Sequence, residues 1–141
     1  MWDVYLGGIV DRTWRETFKN TISADIKVFD PVIDKYDTLN ESERANESAR
    51  EVLAAEKCAL VVFYLDSSWL GQSNMLELGD AVGRGKQVVV CLVDKVIGDE
   101  KIRRYCELQG VIVVQSLDEL VTTVEEYLAE LAMCIDGESV V

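Results

Sequence analysis

Five short apolar runs alternate with segments that carry apolar side chains at helical spacing, and no long linker, repeat or low-complexity stretch interrupts them. In a chain of 141 residues, 49% apolar and 28% charged, that alternation predicts one α/β domain, a doubly wound parallel sheet with right-handed crossovers. The runs "ALVVFYLD" and "QVVVCLV" lack polar alternation, as strands covered on both faces do.

The first strand is "DVYLGGIV" (Asp3–Val10), cut by a glycine pair. "TWRETFKNTI" follows with Trp14, Phe18 and Ile22 at i, i+4 and i+8, a helical stripe that makes Trp14 a packing residue. "DIKVFDP" (Asp25–Pro31) is the second strand, stopped by the only proline in the chain. Asn40 and Glu43 hold capping-box positions for a helix whose core face is expected at Ala45, Ala49, Val52 and Leu53. The third strand, Ala59–Asp66, leads into a helix over Ser73–Arg84 with Met75, Leu78, Gly79 and Val82 as its apolar face. The fourth strand is Gln87–Val93, "DEKIRRYCELQG" is a shorter helix ending at a glycine, and Val111–Val114 is the fifth strand. Ser116 and Glu119 start a last helix with Leu117, Leu120, Val121, Val124, Leu128 and Leu131 inward. The domain is thus expected over residues 1–134, with a flexible tail over 135–141.

The expected strand order is flavodoxin-like, 2-1-3-4-5, and ligands of such sheets bind beyond the carboxyl ends of the strands, at the switch point. The loops "GGIVDRTW" and "DSSWLGQSN" flank that point and are rich in glycine and small polar residues, which let a backbone approach a ligand. Gly7, Gly8, Trp69, Gly71, Ser73 and Asn74 are candidate substrate contacts there, Trp69 by stacking. A tight turn explains Gly7-Gly8 equally well.

A formal charge of −12 argues against nucleic acid and anionic membrane surfaces, which need clustered Lys and Arg. No apolar run reaches the length of a membrane span. The opening "MWDVYLGG" has no basic n-region, so no signal peptide is expected, and four cysteines without CxxC spacing suit a reducing cytoplasm. The chain contains no histidine. Ser-His-Asp and Cys-His nucleophile systems and the usual zinc sites are therefore excluded, and acid–base chemistry falls to carboxylates. With 26 acidic residues, abundance singles out none of them.

Gly7-Gly8 is not the GxGxxG of a dinucleotide site. A receiver domain would want an acidic pair after the first strand and a Lys after the fifth, where Gly7-Gly8 and Gln115 stand. The stretches "VYLGG…TWRE", "VFDPVIDKYD" and above all "GQSNMLELGDAVGRGK" resemble the nucleoside 2-deoxyribosyltransferases, in particular their deoxyribosyltransferase-like branch. The resemblance implies that the Glu of E-L-G-x-A, here Glu77, is the nucleophile. It implies Glu51 as the acid that contacts and protonates the leaving base, Tyr5 as the residue that steadies the nucleophile, and Asp34 and Asp37 as residues of the loop approaching the base. Asp66 closes the third strand near the same pocket. Periodicity alone makes Glu77 a solvated charge; its first-turn position at the switch point and the signature reverse that reading. For Glu51 a solvated helix charge is an equal alternative, for Asp34 and Asp37 loop solvation is the stronger one, and Tyr5 is also readable as core.

Such an enzyme breaks an N-glycosidic bond through an oxocarbenium-like transition state by retaining double displacement, and calls for neither metal nor cofactor. The implied ligand is a nucleoside or nucleotide, and the implied assembly a homo-oligomer whose neighbours complete the site. Two alternatives stay open. "VVFYLDSSWLGQSNMLELGDA" also resembles the third strand and next helix of a TIR-domain NAD glycohydrolase. A catalytically silent nucleotide sensor is favoured by Gly71, Ala59 and Glu51, which replace acids of the family pattern.

Overall fold

The computed structural model describes residues 2–33, 36–66, 72–93 and 99–139. Asp34, Trp69 and Gly71 lie outside the described residues, as does the side chain of Ser73. Strands β1 (Val4–Gly8), β2 (Val28–Phe29), β3 (Leu60–Leu65), β4 (Val88–Leu92) and β5 (Ile112–Val114) form one sheet. All pairs are parallel and the order is β2-β1-β3-β4-β5, as expected. The helices are α1 (Arg12–Thr21), α2 (Glu41–Lys57), α3 (Gln72–Gly83), α4 (Asp99–Leu108) and α5 (Leu117–Ser139). Helices α1 and α5 cover one sheet face with Phe18, Leu120 and Val124 over Leu6, Val62 and Val89. The opposite face carries Leu78 and Ala81 of α3, Ala54 of α2 and Cys106 of α4 over Val61, Phe63 and Val90. No helix among the described residues is long and apolar enough to cross a membrane.

The two glycines of β1 are there because β3 is close. A Cβ on Gly8, whose φ is +103°, would lie 2.3 Å from the carbonyl oxygen and 2.5 Å from the nitrogen of Tyr64. A Cβ on Gly7 would lie 2.8 Å from the Phe63 ring. Both residues sit inside the strand rather than in a turn after it. β2 is shorter than the Asp25–Pro31 run, because only Val28 and Phe29 pair with Val4 and Tyr5. Extending that register would set the Leu6 carbonyl opposite the N–H that Pro31 lacks.

Helix ends follow local chemistry. The Asn40–Glu43 capping box forms both of its bonds, 2.8 and 3.0 Å. The Ser116 hydroxyl accepts from the Glu119 N–H at 3.1 Å, while the Glu119 carboxylate reaches one residue further back, to the Gln115 N–H. α3 ends in a Schellman motif: Lys86 N–H bonds the Ala81 carbonyl and Gly85 N–H the Val82 carbonyl, with Gly85 at φ +76°. Lys86 then donates to the carbonyls of Glu56 and Cys58 at the end of α2. The G-K at the end of the α3 signature is therefore structural, a left-handed cap followed by a clamp between two helices.

Two helices are rotated from the faces expected of them. On α2, Ala45, Ala49, Val52 and Leu53 are exposed, and the inward stripe is Arg44, Glu47, Glu51, Ala54 and Cys58. On α3, Leu78 and Ala81 are buried while Met75 and Gly79 are exposed, so Glu77 flanks the packed stripe instead of opposing it. In both cases apolar periodicity misleads because a polar cluster, not core alone, occupies the sheet side. α5 continues past residue 134 to Ser139, so most of the stretch expected as a tail is helical; "AMCI" holds no residue that would stop propagation.

Gly8→Ala is expected to cost about 3 kcal/mol or more, or to prevent folding, because no side-chain movement relieves a backbone clash. Gly79 is a helix-interior glycine with open space at its Cβ position, so Gly79→Ala should add about 0.5–1 kcal/mol. Urea unfolding of the two variants against the parent measures both.

Candidate active site

Between α2 and α3, over β1 and β3, lies a cavity of about 90 Å³. Tyr5, Val61 and Phe63 floor it, Glu51 and Ala55 wall it from α2, and Glu77 and Ala81 from α3. Its far end is lined by Glu56, Asp80, Arg84 and Lys86. Whole-ligand clefts run to roughly 300–1,000 Å³, so this cavity suits the reacting end of a ligand. Glu77 reaches it because helical geometry stacks it one turn above Ala81, and Glu51 because α2 turns its polar stripe inward. Tyr5 stands on the same sheet face as Gly7, where the missing side chain leaves room for the Phe63 ring.

Of the three polar groups Tyr5 is buried, Glu51 half-buried and Glu77 an exposed residue whose carboxyl borders the cavity. Tyr5 is 5% exposed and stacks on Phe29 with centroids 5.5 Å apart. Burial first, then the charges of Glu77 and Glu51, push its phenol far above the ordinary value, so it stays a donor. Burial raises the Glu77 carboxyl, and the positive charge of Arg15 partly offsets that. Glu51 is raised by burial, then by the charges of Glu77 and Glu47, with Arg50 and Arg15 opposing. Tyr5, Glu51 and Glu77, which the sequence nominates as a catalytic set, thus share one cavity and one electrostatic environment.

Gly7 and Gly8 are buried in β1 beside it. Asn74 is half-buried in the first turn of α3, and Asp66 is half-buried just after β3. Asp37 is exposed in a 3₁₀ turn, Tyr36–Thr38, where its carbonyl accepts from Arg44 at 3.1 Å; neither it nor Asp66 lines the cavity. Asp34, Trp69 and Gly71, the remaining nominated contacts, are among the residues not described. Arg15, one of two basic residues that the sequence puts near the predicted pocket (the other is Arg12), is buried and its charge acts on Glu51 and Glu77. The sequence signal for that burial is its spacing, since Arg15, Phe18 and Ile22 fall at i, i+3 and i+7, core positions for an arginine.

A family model described as nucleoside 2-deoxyribosyltransferase like matches residues 1–95, a span that includes Tyr5, Glu51 and Glu77. Comparison with curated proteins finds no match. Among solved structures, a conserved protein from Enterococcus faecalis V583 is similar in fold, with a TM-score of 0.60 at 17% identity. The match covers 90% of this chain and 99% of that one.

A carboxyl whose pKa is higher in the folded than in the unfolded state stabilises the fold only while protonated, and that contribution is lost as pH rises through the folded value. Glu51→Gln and Glu77→Gln are therefore expected to melt at higher temperature than the parent at pH 7–8. The advantage should vanish near pH 4, where both states are protonated. Thermal melts across that range test the sign.

Proposed function

The chain belongs to the nucleoside 2-deoxyribosyltransferase-like family, and from that premise we propose that it cleaves or transfers at the N-glycosidic bond of a (deoxy)nucleoside or nucleotide. The observation that carries the reading is the convergence of Glu77, Glu51 and Tyr5 on one cavity in a chain without histidine. In the first step the Glu77 carboxylate attacks the anomeric carbon as the C–N bond breaks. The bond pair passes to the base nitrogen, which takes the proton of Glu51, and a glycosyl ester on Glu77 results. In the second step a new base or water attacks the same carbon, the ester breaks, and Glu51 takes up the released proton, with net retention. Glu51 suits the acid role because the like charges of Glu77 and Glu47 add to its burial, against the opposing charges of Arg50 and Arg15, whereas Glu77 is raised by burial against Arg15. Tyr5, held protonated, donates to the nucleophile and steadies it. The chemistry asks for no metal or cofactor.

The same reading makes the protein a homo-oligomer in a reducing compartment. Val52 and Leu53 on α2 and Leu76 on α3 are half exposed or more beside the cavity, an apolar rim that a neighbouring copy would cover. The four cysteines are free, and three of them are buried.

The test is to incubate the purified protein separately with a deoxynucleoside plus acceptor base, a deoxynucleoside 5′-monophosphate, and NAD, and to follow freed base by chromatography. Base release from the first or second is expected, reduced on the order of 10³-fold or more in Glu77→Ala and about 10²-fold or more in Glu51→Gln. Release from NAD alone supports the TIR-like alternative. Silence on all three, with a nucleotide still raising the melting temperature, supports a sensor.

A further inference from the structure

We propose that the last turns of α5 in one copy of this chain seat in the groove between α3 and α4 of a second copy. The proposal goes beyond the reaction and does not rest on it. Along α5, Leu117, Val121, Val124, Leu128, Leu131 and Ile135 follow one another in alternating steps of four and three residues, which keeps them on one helix face. Val121 and Val124 are buried in the core, and Leu117 and Leu128 pack against the same cluster. Leu131 is half-buried. At Ile135 the face has run past the domain, and the side chain is 59% exposed. Cys134, beside it on that face, is exposed as well. The stripe thus keeps its core spacing for a turn beyond its own core.

The groove has the converse character. About 780 Å³ of open space separates α3 from α4, floored by Leu78 and Val111 and walled by Met75, Val82, Ile102 and Tyr105. Gly79 and Gly83 leave the α3 wall bare at two positions one turn apart, where a Cβ would meet nothing within 4 Å. A second helix can therefore approach to the ordinary packing distance of about 8–10 Å and set its apolar side chains into the space, as anchors one turn apart do in helix-binding grooves. None of the lining comes from α5, which covers the opposite face of the sheet, so the helix that enters belongs to another copy. Charge sorts the contact. The sequence of α5, LDELVTTVEEYLAELAMCIDGES, holds seven acidic residues and no Lys or Arg, so two α5 helices repel one another side by side. In α4, DEKIRRYCEL, three acids are balanced by three bases. One of those bases, Lys101, lines the groove and offers a cation to Glu130, exposed on the flank of the α5 stripe. For a chain of net charge −12, the groove is a charge-balanced apolar surface on which an acidic helix can settle.

Gel filtration with light scattering on the full chain, over a range of concentrations, tests the contact. The parent is expected to self-associate. Ile135→Asp, which charges the end of the stripe, and Gly79→Phe, whose ring fills the groove, should each weaken that association about tenfold or more. Ile135 is exposed and position 79 has open space, so both variants should fold, and Lys101→Glu is the second groove variant if Gly79→Phe does not. An equimolar mixture of Ile135→Asp and Gly79→Phe should regain an association that neither shows alone, because the first keeps an intact groove and the second an intact stripe. A parent that stays monomeric overturns the proposal, and so do variants that keep the parent's mass. Loss of mass in the groove variant with Ile135→Asp unaffected gives the groove a different occupant. Loss in both without recovery on mixing separates the stripe from the groove. Either result overturns the proposal as well.

Discussion

The upper end of this domain depends on how closely β1 approaches β3. The two strands pair along all five residues of β1, and at Gly8 the backbones leave no room for even a methyl group. That approach fixes both sides of the sheet at once. On one face Gly7 yields its space to Phe63, which with Tyr5 and Val61 becomes the floor between α2 and α3. On the other, Tyr64 receives Trp14, and the turn into α1 carries Arg15 back to the open edge of β1. The glycine pair therefore sets the floor of the cavity and the seat of the buried cation, whatever further contact it makes with a ligand.

Around that floor the chain accepts an electrostatic cost. Two carboxyls and a phenol share a partly desolvated space, and each is shifted toward its protonated form. A domain optimised only for stability would fill this space with the leucine and valine that α2 carries on its outer face. Groups so arranged are common where acid and base roles must be separated near neutral pH. Asp30 shows the opposite environment: burial pushes it up, but Lys19, the Val32 N–H and Arg15 outweigh that and hold it below the ordinary carboxylate value. The protein thus favours the ionised form of its structural carboxylate and shifts its cavity carboxyls toward the protonated form.

The strand order and the helix caps were legible because they depend on local rules. Continuous apolar runs, the Asn40–Glu43 box and the stop at Pro31 mean the same thing in any context. The orientations of α2 and α3 were not, because periodicity assumes that the apolar face is the inner face. On α2 Glu51 points in and Val52 points out, and no count of apolar spacings reveals that without knowing that the neighbouring space is polar. For Glu77, its place after the third strand and the signature point to the cavity that it lines, and its periodicity does not. Arg15 stands at core spacing with Phe18 and Ile22, but its hydrogen bonds to the edge of β1 follow only from the three-dimensional register.

In the proposed reaction Glu77 forms a bond to the sugar. Incubation with a 2-deoxy-2-fluoro-arabinosyl nucleoside, whose fluorine slows the second step more than the release of base, followed by intact-mass and peptide mass spectrometry, tests it directly. If Glu77 is the nucleophile, one glycosyl adduct is expected, on the peptide that contains Glu77, absent from Glu77→Gln. An adduct on the Glu51 peptide, or base release with no adduct at Glu77, would contradict it.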